Sequence, residues 1–195
     1  MRVFSLLLVL GFVAVGVIAC ASAVGPEEVV KITYGITKVD LTGEGYDAFV
    51  VFGRRENFNA HGFDVLSMYI NASLDKGALP IWNIVPIFNG EKEQLELMAS
   101  GGADGLLYDF RLLRDSKKHG IRLITATRAF GETYADENDV TFDYYELKRN
   151  SEGLVGEPIY YFEKSSSSKA KKRYSDVGAA FKDELGLGQY ITRLY

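Results

Sequence analysis

A mainly β fold, an antiparallel β-sandwich-like domain with one short C-terminal helix, is what this sequence predicts. Three observations carry that expectation. Apolar residues recur at alternate positions in many short runs separated by turn residues. Twelve Tyr and twelve Phe suit half-buried pleated surfaces. A single stretch, Ser175–Leu185, carries helical spacing, with Val177, Phe181 and Leu185 four apart.

The chain begins with Met1, Arg2 and an apolar run from Val3 to Ala19, the pattern of a secretory signal. That run is short for a spanning helix. Two cleavage readings compete. Ala21-Ser22-Ala23 offers a general A-x-A site, which makes residues 1–23 a signal peptide. Val17-Ile18-Ala19-Cys20 fits a bacterial lipoprotein box, which ends the signal at residue 19 and leaves Cys20 for lipidation. Residues 24–195 then form one domain, about 170 residues, long enough to bury an ordinary core. Cys20 is the only cysteine, so the domain is expected to hold no internal disulfide and no thiolate nucleophile.

The elements follow in order. Val29–Ile36 reads as a first strand with Val30, Ile32, Tyr34 and Ile36 on one face. Tyr46–Phe52 is a compact apolar run, and Phe63–Ile70 resumes after a polar interruption, with Phe63, Val65, Ser67 and Tyr69 sharing a face. Pro80–Phe88 is a further apolar run in which Pro86 points to an edge or a bulge. Asn89-Gly90 signals a hairpin returning along Gln94–Ala99. Ser100–Gly105 reads as a loop, and Leu106–Leu113 and Ile121–Arg128 as strands. Val140–Leu147 and Ile159–Glu163 read as a hairpin around the Gly-containing turn 150–156. Ser165–Arg173, Ser-rich and basic, reads as a solvated loop. Ser175 or Asp176 caps the helix and Gly186 ends it.

Charge and composition exclude several classes. The formal net charge of −4 gives no basic face for nucleic acid. His61 and His119 are the only histidines, so a His-rich zinc centre is excluded, and neither a metal nor a cofactor is expected. Asp136-Glu137-Asn138-Asp139 is acidic but lacks EF-hand spacing and reads as a solvated turn. Ser166–Lys169 and Ser168–Lys171 match S-x-x-K by string, inside a Ser/Lys-rich stretch where chance matches are expected. Asn71-Ala72-Ser73 is a formal glycosylation acceptor.

Two clusters remain as candidate binding sites. Arg54, Arg55, Glu56, Asn57, Asn59, His61 and Asp64 crowd the polar stretch between two strands. Arg55 has the planar fork that clamps a carboxylate, and His61 is a candidate base, although the same Asn, Asp and Glu residues suit closure of the loop on itself. Gly101, Gly102 and Asp104 precede Asp109 and Arg111, which share a strand face. Those two pair with each other, or with Arg55 and Glu56 across the sheet; a buried charge network that holds the fold is the alternative.

Glu56–Val65, Ile84–Phe88, Gly101–Asp104, Asp109–Leu113 and Val140–Phe142 together resemble the CarG family of bacterial carbapenem intrinsic-resistance proteins. So do Tyr160–Glu163, Ser175–Val177 and Glu184–Gly186, in the same order along the chain. The resemblance implies a periplasmic protein that protects its host from a carbapenem without acting as a β-lactamase, and it carries over no catalytic residue. The function expected is therefore an exported, non-enzymatic resistance factor that binds the drug or shields a cell-wall target. A carbapenem carries a carboxylate, for which Arg54, Arg55 or Arg111 is a candidate contact. The alternatives are an envelope lipoprotein or interaction module that binds another protein, and a hydrolase with an unrecognised site. Membrane contact is expected through the signal or a lipid anchor alone, and a homo-oligomer is compatible with the sequence.

Overall fold

The structure is a computed structural model, described for residues 28–45, 48–59, 61–73, 79–102, 104–114 and 120–191. The segment expected to be a signal, Cys20, the first residues of the strand expected from Tyr46, and His119 lie outside the described residues.

Among the described residues, twelve strands and one helix follow in chain order: β1 (Glu28–Val29), β2 (Gly35–Val39), β3 (Ala48–Arg55), β4 (Phe63–Asn71), β5 (Trp82–Ile84) and β6 (Ile87–Asn89). Then come β7 (Lys92–Gln94), β8 (Leu97–Gly102), β9 (Gly105–Arg114), β10 (Ile121–Arg128), β11 (Val140–Arg149), β12 (Tyr160–Lys169) and α1 (Val177–Leu185). The strands form one sheet in the order β2-β3-β4-β8-β9-β10-β11-β12-β6-β7, with β1 added beside β9 and β5 beside β4. Pairing is antiparallel except between β12 and β6.

The sheet turns back on itself through β8, which pairs with β4 on one side and β9 on the other. Val50, Phe52, Leu66 and Met68 from one half meet Phe110, Leu112, Leu123 and Phe162 from the other in the main core. A second core lies on the opposite face of β9–β11, where Leu113, Ile124, Ala126 and Phe142 receive Val177, Ala180 and Phe181 of the helix. Strands β9 and β10 are therefore covered on both faces. That is why their sequences run apolar without clean alternation.

The helix starts and stops where its chemistry dictates. Asp176 is the cap, its Oδ1 accepting from the Ala179 N–H at 3.0 Å. Its Oδ2 accepts from the Leu106 N–H at 2.8 Å, so one carboxylate both caps the helix and fastens it to β9. Gly186 ends it at φ 69°, with the Gly186 N–H bound to the Lys182 carbonyl and the Leu187 N–H to that of Phe181. This is the double-bonded Schellman stop, and only glycine adopts its left-handed position without cost.

Several expectations need correction. Val29–Ile36 is not one strand: β1 and β2 are separated, and Ile36 is 69% exposed, while Val30 and Ile32 reach the core. In β4 the buried face is Asp64, Leu66, Met68 and Ile70 rather than the face of Phe63 and Tyr69. The run through Pro86 is split because β5 pairs with β4 and β6 with β12, so Pro86 marks the passage between the two halves. Its missing N–H costs nothing there, while its carbonyl accepts from the Phe162 N–H at 2.8 Å. The β6–β7 turn is Gly90-Glu91 rather than Asn89-Gly90, since Asn89 already pairs with Lys92. Its return strand stops at Gln94, and β8 begins anew at Leu97. Ser100–Gly105 is not a loop but the closing end of the β8–β9 hairpin. Ser165–Lys169 is strand, the far end of β12 paired to β11. Low complexity concealed it, yet Ser167 Oγ donates to Asp143 at 2.6 Å and Ser165 Oγ to the Tyr144 carbonyl at 3.1 Å.

Candidate functional site

The two sequence clusters occupy different places. The first is the β3–β4 connection. Arg54 reaches Glu56 at 3.1 Å and Asp64 at 3.4 Å, and Asp64, 2% exposed, also accepts from the Tyr34 hydroxyl at 2.9 Å. Arg54 is thus held by carboxylates on either side of the loop. Its hydrogen bond, together with the Phe58 N–H, draws the Glu56 carboxyl below its ordinary value. Asn57 donates to the His61 carbonyl and Asn59 accepts from the His61 N–H, both at 2.9 Å. These amides close the loop, as Asn commonly does. The His61 ring lies against Tyr134, with centroids 5.3 Å apart, and Arg55 lies over the Phe63 ring at 5.4 Å. Phe58 has φ 56°, a left-handed conformation that costs a residue with a side chain about 1–2 kcal/mol.

The second cluster lines a cleft of about 320 Å³ bounded by the β8–β9 hairpin, the start of the helix and the segment Gln189–Ile191. At its floor Arg111, 1% exposed, meets Asp109 at 2.6 Å. The guanidinium also donates to the Gly188 carbonyl at 2.9 Å and the Phe110 carbonyl at 2.7 Å. It sits over the rings of Phe181 at 4.3 Å and Tyr190 at 4.9 Å. The Tyr190 hydroxyl donates to Asp109 at 3.1 Å. Burial pushes the Asp109 carboxyl up, while Arg111, the Phe110 N–H and Tyr190 oppose that shift. Burial, then Asp109, pushes the Tyr190 phenol up as well. The cation, the carboxylate and the phenol therefore satisfy one another, and the network ties the C-terminal segment to β9.

Asp109 and Arg111 pair with each other and not with Arg55 or Glu56; Glu56 takes Arg54 instead. Asp104 is exposed in the hairpin turn at the cleft mouth. Gly101 and Gly102 serve close packing. A Cβ at Gly101 would lie 2.3 Å from the Gly105 carbonyl oxygen, and one at Gly102 2.9 Å from the Tyr134 ring. A Cβ at Gly105 would lie 2.4 Å from the Ser175 carbonyl oxygen, which is backbone and cannot swing aside. Gly105→Ala is expected to lower stability by about 1–3 kcal/mol and to loosen the helix start; an unchanged urea midpoint would show that the hairpin yields freely.

Sequence reasoning missed Tyr190, Tyr134 and Arg128. Asp176 was legible as a cap, though its bond to Leu106, 70 positions away, was not. Arg128, 2% exposed, donates to the carbonyls of Tyr134, at 2.9 Å, and Asp136, holding the 129–139 loop from beneath. The acidic stretch Asp136–Asp139 closes that loop: Asp136 accepts from the N–H groups of Glu132 at 2.7 Å and Thr133 at 2.8 Å, and from the Thr133 hydroxyl at 2.9 Å. Those bonds, the Thr133 N–H first, hold its carboxyl below the ordinary Asp value. A carboxyl lowered on folding stabilises above its unfolded pKa, and that contribution is lost as pH falls through the folded value. Protection of the Glu132 and Thr133 amides, their NMR exchange rate relative to an unstructured chain at the same pH, is expected to fall below about pH 4 and to lose that pH step in Asp136→Asn.

The two S-x-x-K strings lie on β12 and just beyond it. A serine on an exposed strand lacks the helix start with a lysine one turn later that the penicillin-recognising chemistry requires. Among the described residues no group of three or more His, Cys, Asp or Glu side chains is placed to hold a metal, and no helix is long and apolar enough to cross a membrane.

Fold and site together define a β-sandwich with a helix latched over one face and a charge network under a shallow cleft. The family model for carbapenem resistance protein CarG-like sequences matches residues 32–183, and the chain belongs to that family. A solved structure described as the crystal structure of CarG is similar at a TM-score of 0.66 and 24% identity, covering 85% of this chain and 99% of that one. At that identity the likeness establishes the fold. No curated protein matches the chain.

Proposed function

We propose that this carbapenem-resistance-related protein is exported and acts without covalent chemistry, by shielding a cell-wall target rather than by sequestering the drug. The charge of the cleft carries this reading. Asp104, Asp109 and Asp176 line it against one cation, Arg111, which Asp109 and two backbone carbonyls already occupy. A carbapenem carboxylate entering there meets net negative charge and no open fork. Of the three candidate arginines, Arg111 is buried structure, Arg54 is held by Glu56 and Asp64, and Arg55 lies over the Phe63 ring and does not line the cleft. A non-enzymatic role is supported by the placement of the candidate chemical groups. His61 stands on an exposed loop beside Tyr134, and the Asp109 carboxylate is engaged by three donors.

The test is carbapenem susceptibility of a sensitive Gram-negative host that exports the protein, with the drug in the medium assayed in parallel. Equilibrium dialysis of drug against purified protein accompanies it. Protection with the drug intact and none retained by the protein is the expected result. Protection with the drug consumed overturns the non-covalent reading, and stoichiometric retention replaces shielding by sequestration. No protection in cells where the exported protein accumulates removes the resistance role.

A further inference from the structure

The β3–β4 connection holds a residue in a left-handed backbone conformation at full exposure. Phe58 is 96% exposed at its tip and held at φ 56°. An unconstrained loop would relax a left-handed phenylalanine or carry glycine there. This one is fixed by its own side chains: Glu56 accepts from the Phe58 N–H at 2.8 Å, and Asn57 and Asn59 clasp the His61 backbone. Arg54 locks Glu56 in turn, and Tyr134 braces the loop through the His61 ring. Tyr134 also meets Phe130, 55% exposed, at 5.2 Å. The strained conformation is over-determined by its surroundings, as strain at working sites is.

We propose that Phe58, with its backbone held by Glu56, is a docking element whose side chain enters an apolar pocket on a folded protein partner. The inference deepens the shielding reading and rests on it for the biological role alone. The shape selects a macromolecule, because a small ligand can cover one face of a ring on a convex tip but cannot bury it. Charge selects a protein over an anionic membrane. The rim carries both signs: Arg55, with no carboxylate paired to it among the described residues, on the β3 side, and exposed Glu132, Glu137 and Asp139 in the loop that braces it. A uniformly negative lipid surface would be repelled by that second side, whereas a protein surface of mixed charge can match both. An aromatic anchor suits such a contact because a phenylalanine has only two side-chain torsions to fix, and the backbone beneath it is already held by the Glu56 bond.

The experiment uses the full chain, exported in the host, with a benzophenone amino acid at position 58 or, as a control on a distant exposed loop, at Val155. Irradiation is expected to give one discrete adduct from position 58 and none from position 155, and mass spectrometry identifies the partner. The purified pair is then measured by calorimetry with wild type, Phe58→Gly and Arg55→Glu. Phe58→Gly is expected to melt at a higher temperature than wild type, because strain is relieved, yet to bind at least tenfold more weakly. A merely structural role for Phe58 moves the melting temperature and not the affinity. Equal affinity of Phe58→Gly, or no adduct beyond the position 155 control, overturns the proposal. So does Phe58-dependent sedimentation with phosphatidylglycerol vesicles in place of a protein adduct. An adduct with weakened Phe58→Gly binding in a host that gains no protection retains the docking loop and overturns the resistance role instead.

Discussion

Arg111→Met is expected to lower the unfolding free energy by about 3–5 kcal/mol, the cost of leaving a buried charge without its partner. Methionine keeps much of the side-chain volume, so the loss reports charge and hydrogen bonding rather than a cavity. Four interactions disappear together: the 2.6 Å pair with Asp109, the bonds to the Gly188 and Phe110 carbonyls, and the cation between the Phe181 and Tyr190 rings. The Asp109 carboxyl, already pushed up by burial, would lose its main opposing charge. A carboxyl raised above its unfolded value contributes stability that is complete below about pH 4 and is lost as pH rises through the folded value. The deficit of Arg111→Met should therefore be larger at pH 7 than at pH 4, and Asp109→Asn added to it should restore part of the loss at pH 7. Urea unfolding at both pH values is the measurement. A deficit under about 1 kcal/mol at pH 7 would falsify the assignment of Arg111 as a buried structural clamp.

Phe181→Ala is expected to cost a similar amount, about 3–5 kcal/mol, through the cavity it leaves. Phe181 is fully buried, packs on Phe142 at 5.5 Å and supplies one face of the Arg111 sandwich. Because the two residues touch, their effects should not add. The double variant is expected to fall short of the sum by about 0.5–3 kcal/mol. Strict additivity would mean that the guanidinium and the ring are neighbours without mutual stabilisation. The helix should also detach before the sheet opens, since it covers one face of β9–β11 and shares no backbone ladder with them. Helix amides exchanging no faster than those of β10 would contradict that order.

These predictions concern residues whose importance is unevenly visible in the sequence. The mainly β class, the spans of β10 and β11 and the capped helix with its glycine stop were legible, because each rests on local physics: alternation, turn chemistry and cap geometry. The pairing of Asp109 with Arg111 was legible for the same reason, since residues two apart on a strand share a face. Its burial was not, because Phe181 and Tyr190 arrive from 70 and more positions away. Asn57, Asn59 and Glu56 could be read as loop-closing residues, but the left-handed Phe58 they hold could not.

The sequence by itself determined the class of fold, the ends of the helix, the family resemblance and the crowding of polar groups into two clusters, all properties of neighbours along the chain. Tertiary structure alone decided which face of β4 is buried, that Pro86 carries the chain between the two halves, and that Ser165–Lys169 is a strand. It also decided that Arg111 faces a helix rather than solvent. The physical reason is common to all four. Strand faces, ladder partners and the desolvation of a charge depend on which distant segment lies alongside, and that choice is made by the packing of the whole sheet.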